Sequence, residues 1–244
     1  MQGKVFFKNY KTGLGILSVF FILLSIIIHL YGNYFLFRLL RGVICYSTLL
    51  YLLIAHGKNI QKWLVGFLFF YGASSFATVW YENGTMASIA MILNFIALLM
   101  LLWYVVPKFT IKKITKTFTL LFILMVVING YLFFQLIELM KEMTLNYTQY
   151  IFMILSAFCG IILAFLALFY NHFFNTAQSM AFTLLVFLII FAEIFRGIAY
   201  YDLAYSNAFV YMARICLVLG LYVLVHFSFL DIKNAKRLKI SIPS

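Results

Sequence analysis

The sequence predicts an all-α fold, a polytopic transmembrane bundle of eight helices, and three observations lead there. Two thirds of the residues are hydrophobic and a tenth are charged, which is more apolar side chain than a soluble chain of this size can place in its interior. The apolar residues gather into eight runs, each of about the 20 residues that a helix needs to cross ~30 Å of hydrocarbon. The connections are short, so runs adjacent in sequence become antiparallel neighbours. The runs cover 12–31, 34–55, 61–81, 86–106, 116–138, 148–170, 178–201 and 207–229, and they read as one transmembrane domain over 1–244.

Each run has its own flanks. Lys4, Lys8 and Lys11 precede the first, as in a secretory signal. That run continues from Leu14 to Tyr31 with no small-x-small cleavage site behind it, so it reads as a retained helix. The second carries Arg38 and Arg41 near its start. The third follows Lys58 and Lys62 and ends Trp80-Tyr81-Glu82; the fourth ends Trp103-Tyr104, before a loop with Pro107. Lys108, Lys112, Lys113 and Lys116 open the fifth, and Glu138, Lys141 and Glu142 close it. The sixth leads into Asn171–Ala177, a loop with no Lys or Arg; the seventh ends Tyr200-Tyr201-Asp202. Lys233, Lys236, Arg237 and Lys239 follow the eighth. The only other proline is Pro243, so proline kinks are not expected in the spans.

With an even number of spans, almost all of these basic residues fall on one side. The positive-inside tendency then makes both termini cytoplasmic. The three Trp/Tyr pairs lie where interfacial aromatic belts are expected. The net charge of +12 is explained by topology and lipid headgroups, so the expected partners are membrane lipids and not nucleic acid. The absence of an organellar targeting signal and of long loops suits a bacterial inner (plasma) membrane. Oligomeric state is not legible.

Much chemistry is excluded. Cys45, Cys159 and Cys216 lie in apolar runs without metal-ligand spacing. His29 and His226 fall near opposite membrane ends and His56 and His172 in loops, so they make no metal cluster. There is no Walker loop, Gly-x-Ser-x-Gly, His-Glu-x-x-His or dinucleotide fingerprint, and no metal or cofactor is expected. Asn83-Gly-Thr85 and Asn146-Tyr-Thr148 match the glycosylation pattern, a short match that carries no weight.

What stands out is a polar layer. At ~1.5 Å rise per residue, Glu193, Arg214 and Arg41 each lie ~10 Å inside the outer end of their helices. Ser74 and Ser75 lie ~8–9 Å in, Arg38 and Arg196 ~6 Å, and Asn94 and Asn129 somewhat deeper. Arg38/Arg41 and Glu193/Arg196 are i, i+3 pairs that share a helix face. Charges at membrane depth mark functional sites by default. Pairing of Glu193 with Arg214 or Arg41 leaves an excess of arginine suited to an anionic group. The bland reading stands beside this: arginines that snorkel to lipid phosphates, a structural Glu193–Arg214 lock, and Ser and Asn at helix contacts.

Short motifs along these spans resemble the YhhN family of lysoplasmalogenase-like membrane proteins over roughly Tyr34 to Leu230. Phe37-Arg38-Leu39-Leu40-Arg41 stands where that family opens its second span with a basic residue. Ser74-Ser75, within Phe69-Phe70-Tyr71-Gly72-Ala73-Ser74-Ser75, stands in the place of its Gly-Asp, and Ala192-Glu193 in the place of its Ser-Asp. The resemblance implies an eight-span fold and a lysophospholipid-like ligand, with Glu193 and Ser75 as candidate catalytic residues. Arg38, Arg41, Ser74, Asn94, Asn129, Arg196 and Arg214 are the candidate ligand-binding residues. The family is thought to hydrolyse a vinyl ether with two carboxylates, and here one of them is serine. A lone Glu beside arginines suits binding better than proton donation, so the expected activity is weakened or lost, and whether the protein is an enzyme stays open. The alternative is a transporter or scaffold in which the Glu and Arg groups are structural. A transporter needs a polar path to the inside, and the cytoplasmic halves of the spans look almost uniformly apolar.

Overall fold

The computed structural model describes residues 10–109, 116–142, 144–200 and 206–240. Lys4, Lys8, Lys112, Lys113, Tyr201, Asp202 and Pro243 lie outside these residues, as do the side chains of Lys58, Lys233, Lys236, Arg237 and Lys239.

Eight helices are long and apolar enough to cross a membrane. They are α1 (Tyr10–Leu30), α2 (Tyr34–His56), α3 (Lys62–Ala77), α4 (Gly84–Val105), α5 (Lys116–Lys141), α6 (Tyr147–Phe174), α7 (Ala177–Tyr200) and α8 (Ser206–Ile240). No strand occurs among the described residues. Helices are what a chain needs in hydrocarbon, because they satisfy every backbone polar group internally. The protein is an all-α integral membrane protein, and the boundaries lie within a few residues of those expected except at three points. α6 runs through His172 to Phe174 and stops where Asn175 turns left-handed (φ 43°, ψ 47°), so the sixth connection is far shorter than 171–177. His56, expected in a loop, is the last residue of α2. α8 continues well past its apolar part, which ends at Asp231.

The asparagines of the two glycosylation-like triplets are helix caps. Asn83 Oδ1 accepts from the Thr85 amide at 2.9 Å, and Asn146 Oδ1 from the Gln149 amide at 2.8 Å. Asn146 also donates to the Gly84 carbonyl at 2.7 Å and accepts from Ser88 at 2.8 Å. The starts of α4 and α6 are thereby fastened at one end of the bundle.

Small residues set the closest helix approaches, as in membrane interiors generally. α2 and α3 interlock reciprocally. A Cβ on Gly42 would lie 2.8 Å from the Phe76 ring, and one on Gly72 would lie 2.8 Å from the Tyr46 ring. The residues beside these glycines, Arg41 and Tyr71, are thus brought together across the same interface. α8 packs most extensively on α7, and α1 lies against α8 and α2. α1 and α8 are antiparallel: Tyr10 Oη is 2.9 Å from His226 Nδ1, and His29 Nδ1 is 3.1 Å from Tyr211 Oη. α5 stands at the periphery and meets the bundle chiefly through α6.

The expected aromatic belts are half right. Trp80 and Trp103 are exposed, but Tyr81 and Tyr104 are buried. Adjacent residues on a helix point about 100° apart, so only one of each pair can face lipid. Tyr104 joins Trp63, Phe182 and Phe227 in an aromatic core, with ring centroids 4.5–5.4 Å from Tyr104.

Candidate functional site

The residues of the site come from helices that run in both directions and meet near one end of the bundle. Glu193 of α7 is the centre. Its Oε1 accepts from Arg41 of α2, and from the Tyr71 hydroxyl of α3 at 2.6 Å. Its Oε2 accepts from Arg196, one turn further along α7, and from Asn94 of α4 at 3.3 Å. Arg41 also donates to the Tyr71 hydroxyl at 2.9 Å, which closes a triangle of guanidinium, phenol and carboxylate. Four helices therefore converge on one carboxylate. Each oxygen has a charged donor and a neutral one, as a buried charge requires.

Arg214 of α8 is placed differently from the expectation. It is not paired with Glu193; its Nη2 donates to the Phe37 carbonyl at 2.7 Å, and its guanidinium carbon lies 4.3 Å from the Phe37 ring centroid. Arg41 reaches Glu193 first because the α2–α3 interlock sets it beside Tyr71. Arg38 does not snorkel to lipid: it donates to Glu82, in the α3–α4 connection, at 2.6 Å and lies 5.7 Å from the Tyr200 ring centroid. Glu82 lies outside the spans. Burial pushes its carboxyl up, but the hydrogen bond from Arg38, a backbone hydrogen bond and the Arg38 charge together hold it below the usual 4.5.

These groups face a cavity of ≈ 490 Å³ that takes lining from α1, α2 and α4 to α8. Arg38, Arg41, Asn94, Glu193, Arg196 and Arg214 all line it. The wall made by α5 and α6 is apolar except for Ser156, and includes Phe133, Ile137, Met140 and Met153. Several lining groups are buried with capacity to spare. Arg41, Arg214 and Asn94 are 8%, 5% and 4% exposed. Arg41 Nη1, Arg214 Nη1, Asn94 Oδ1 and Ser156 Oγ have no hydrogen-bond partner among the described residues. Buried polar atoms in proteins are seldom left so.

Three expected site residues are not part of the lining. Ser74 donates to the Ala90 carbonyl at 2.8 Å and ties α3 to α4. Ser75 donates to the Tyr71 carbonyl one turn back, at 2.8 Å. Asn129 donates to the Met125 carbonyl at 2.8 Å, while the α5 lining begins a turn further on at Phe133. Away from water, such short polar side chains satisfy themselves on the nearest helix carbonyl. Ser75 is thereby turned toward its own helix, and its hydrogen bond goes to a backbone carbonyl instead of into the expected site.

Tyr71 and Ser156 are site residues that the polar layer of the sequence does not include. Tyr71 lies one turn from Ser75 on the same face, and Ser156 lies about 12 Å along α6 by the same depth arithmetic. His29, expected near a membrane end, lines the cavity.

A second polar cluster sits at the other end of the bundle. Asp231 of α8 accepts from Gln61, which precedes α3, and from Gln178 of α7. Gln178 also donates to the Tyr104 hydroxyl at 3.2 Å, and Lys108 donates to the Tyr170 hydroxyl at 3.3 Å. Along α7, Gln178 and Glu193 are ~22 Å apart. Phe67, Leu101, Leu185 and Ile189 fill the depth between the two clusters and are fully buried. The helix ends opposite the cavity, expected to be almost uniformly apolar, thus hold a polar clamp, but an apolar layer separates it from the cavity.

No family model matches the chain, and no curated protein or solved structure matches it either.

Proposed function

We propose that this is a bacterial inner-membrane protein, with both termini cytoplasmic and the cavity opening outward, that binds an anionic single-chain amphiphile. In this reading it is a YhhN-like protein that has kept a lysophospholipid-type pocket and weakened or lost hydrolysis. One observation carries the reading: Arg41 and Arg214, each with an unpartnered Nη1, line a cavity whose α5–α6 wall is apolar. Buried guanidinium donors suit phosphate or carboxylate oxygens, and the apolar wall suits a hydrocarbon tail.

Binding is favoured over hydrolysis because both oxygens of Glu193 are already engaged and Ser75 bonds its own helix. Transport is disfavoured by the packed apolar layer that separates the two polar clusters.

Native mass spectrometry of the detergent-purified full chain tests this. Lysophosphatidylglycerol, an anionic amphiphile, should be retained at least about tenfold better than neutral monoolein, with Arg214→Gln abolishing the preference. Equal retention of the two amphiphiles by the wild type would refute it.

A further inference from the structure

We infer that the head group this cavity is built for is a terminal phosphate monoester: a dianion with nothing esterified beyond it, carried on one apolar chain. The inference deepens the anionic-amphiphile reading above and rests on it.

The charge inventory comes first. Among the described lining residues Glu193 is the one carboxylate; it pairs with Arg41 and Arg196, and Arg214 lines the same cavity without pairing to it. Arg38, the fourth lining arginine, is already paired with Glu82 at the mouth. Three guanidinium groups against one carboxylate leave an excess of two positive charges in a buried space. A phosphate monoester carries about −1.5 to −2 at neutral pH and offers three terminal oxygens; a phosphodiester carries one charge and offers two. Arg41 and Arg214 come from different helices, lie within electrostatic range of each other, and each retain a free Nη1. The Arg41 and Arg214 charges repel each other, and a multiply charged anion bound beside both relieves that repulsion.

Among the described lining residues a head-group cation finds no free carboxylate. Choline or ethanolamine needs a free carboxylate or an open aromatic face. Glu193 is saturated by Arg41, Tyr71, Arg196 and Asn94. The rings of Phe37, Tyr71 and Tyr200 already lie 4.3, 5.2 and 5.7 Å from arginine guanidinium carbons. Each of these three rings thus already carries one of the protein's own cations. The tail follows from the wall opposite, where Phe133, Ile137, Met140 and Met153 give methylene-compatible surface.

The test is a probe panel on the wild-type full chain, so that no variant need fold. At pH 7.5, oleoyl lysophosphatidate should bind at least about tenfold tighter than oleoyl lysophosphatidylglycerol or oleoyl lysophosphatidylcholine. Near pH 5 its advantage over lysophosphatidylglycerol should disappear, because the second phosphate proton returns at about pH 6. His29 is the histidine in the described lining, and lysophosphatidylglycerol, which meets the same residue, is the control at each pH. Glycerol phosphate and inorganic phosphate, which lack the tail, should bind at least about a hundredfold more weakly than lysophosphatidate. Arg214→Lys, which keeps the charge and loses the fork, should cut the monoester preference severalfold. Equal affinity for lysophosphatidate and lysophosphatidylglycerol, or tighter binding of lysophosphatidylcholine, overturns the monoester assignment. If lysophosphatidylglycerol still outcompetes monoolein in those cases, the broader amphiphile reading stands. Tail-less phosphate binding as tightly as lysophosphatidate overturns the lipid source. Retention of no amphiphile at all removes the reading and this inference together.

Discussion

Tyr71 donates its phenolic proton to Glu193 across 2.6 Å, joining α3 to α7 at the floor of the cavity. The same oxygen accepts from Arg41, which also donates directly to Glu193, so the phenol braces an ion pair already in contact. Tyr71→Phe should cost about 1–2 kcal/mol, in keeping with a hydrogen bond to a charged group inside a membrane protein. At about 2–4 °C per kcal/mol for a chain of this length, melting in detergent should fall by several degrees. An unchanged melting point would mean that the triangle contributes nothing to stability.

Glu193 and Arg214 should respond in opposite ways. Glu193→Gln strips the countercharge from Arg41 and Arg196, a change that costs about 3–5 kcal/mol for a buried pair; the folded yield should collapse. Arg214→Met removes a cation that has no carboxylate partner in the structure, so the yield should stay near wild type while anionic amphiphile is lost. Size-exclusion yield and native mass spectrometry together read both. Equal loss of folded protein would restore the Glu193–Arg214 lock that the geometry replaces.

The glycine interlock predicts a rescue. A methyl at position 72 would meet the Tyr46 ring at 2.8 Å, and overpacking of this kind costs about 1–3 kcal/mol. Gly72→Ala should lower the melting temperature, and a second change, Tyr46→Ala, should recover part of the loss by vacating the space. A double variant no better than the sum of its parts would show that the two residues are not coupled.

Acid should release the Arg38–Glu82 pair. The Glu82 carboxyl lies below 4.5 in the folded protein, so its contribution is fully present above that pH and is lost as pH falls through the lower folded value. The difference in melting temperature between wild type and Glu82→Gln should therefore be present at pH 7 and vanish in stronger acid. It should be small, because the Glu82 side chain is 67% exposed, and molar salt should shrink it further. A difference that grows on acidification would contradict the pairing.

The fold was legible because helix length and hydrophobicity in a membrane are set by the bilayer, residue by residue. The depth of the site was legible for the same reason: a fixed rise per residue put Arg41, Glu193 and Arg214 at one level before any contact was known. Azimuth was not. Whether Ser75 or Tyr71 reaches Glu193 depends on how α2 and α3 are rotated, and that is set by which aromatic ring nests on which glycine. Arg41 won Glu193 over Arg214 through that rotation. The far-end clamp was missed because Gln61, Gln178 and Asp231 each look like ordinary span boundaries; only the bundle brings them together.

Among the described residues, the hydrogen bonds that tie α1 to another helix, His29 to Tyr211 and Tyr10 to His226, both go to α8. Those partners leave the ribosome roughly two hundred residues after α1 does. Until α8 is made, α1 must wait in the lipid beside its neighbour α2. The wall of the cavity that carries His29 closes only then, so no nascent chain that still lacks α8 owns a finished binding chamber.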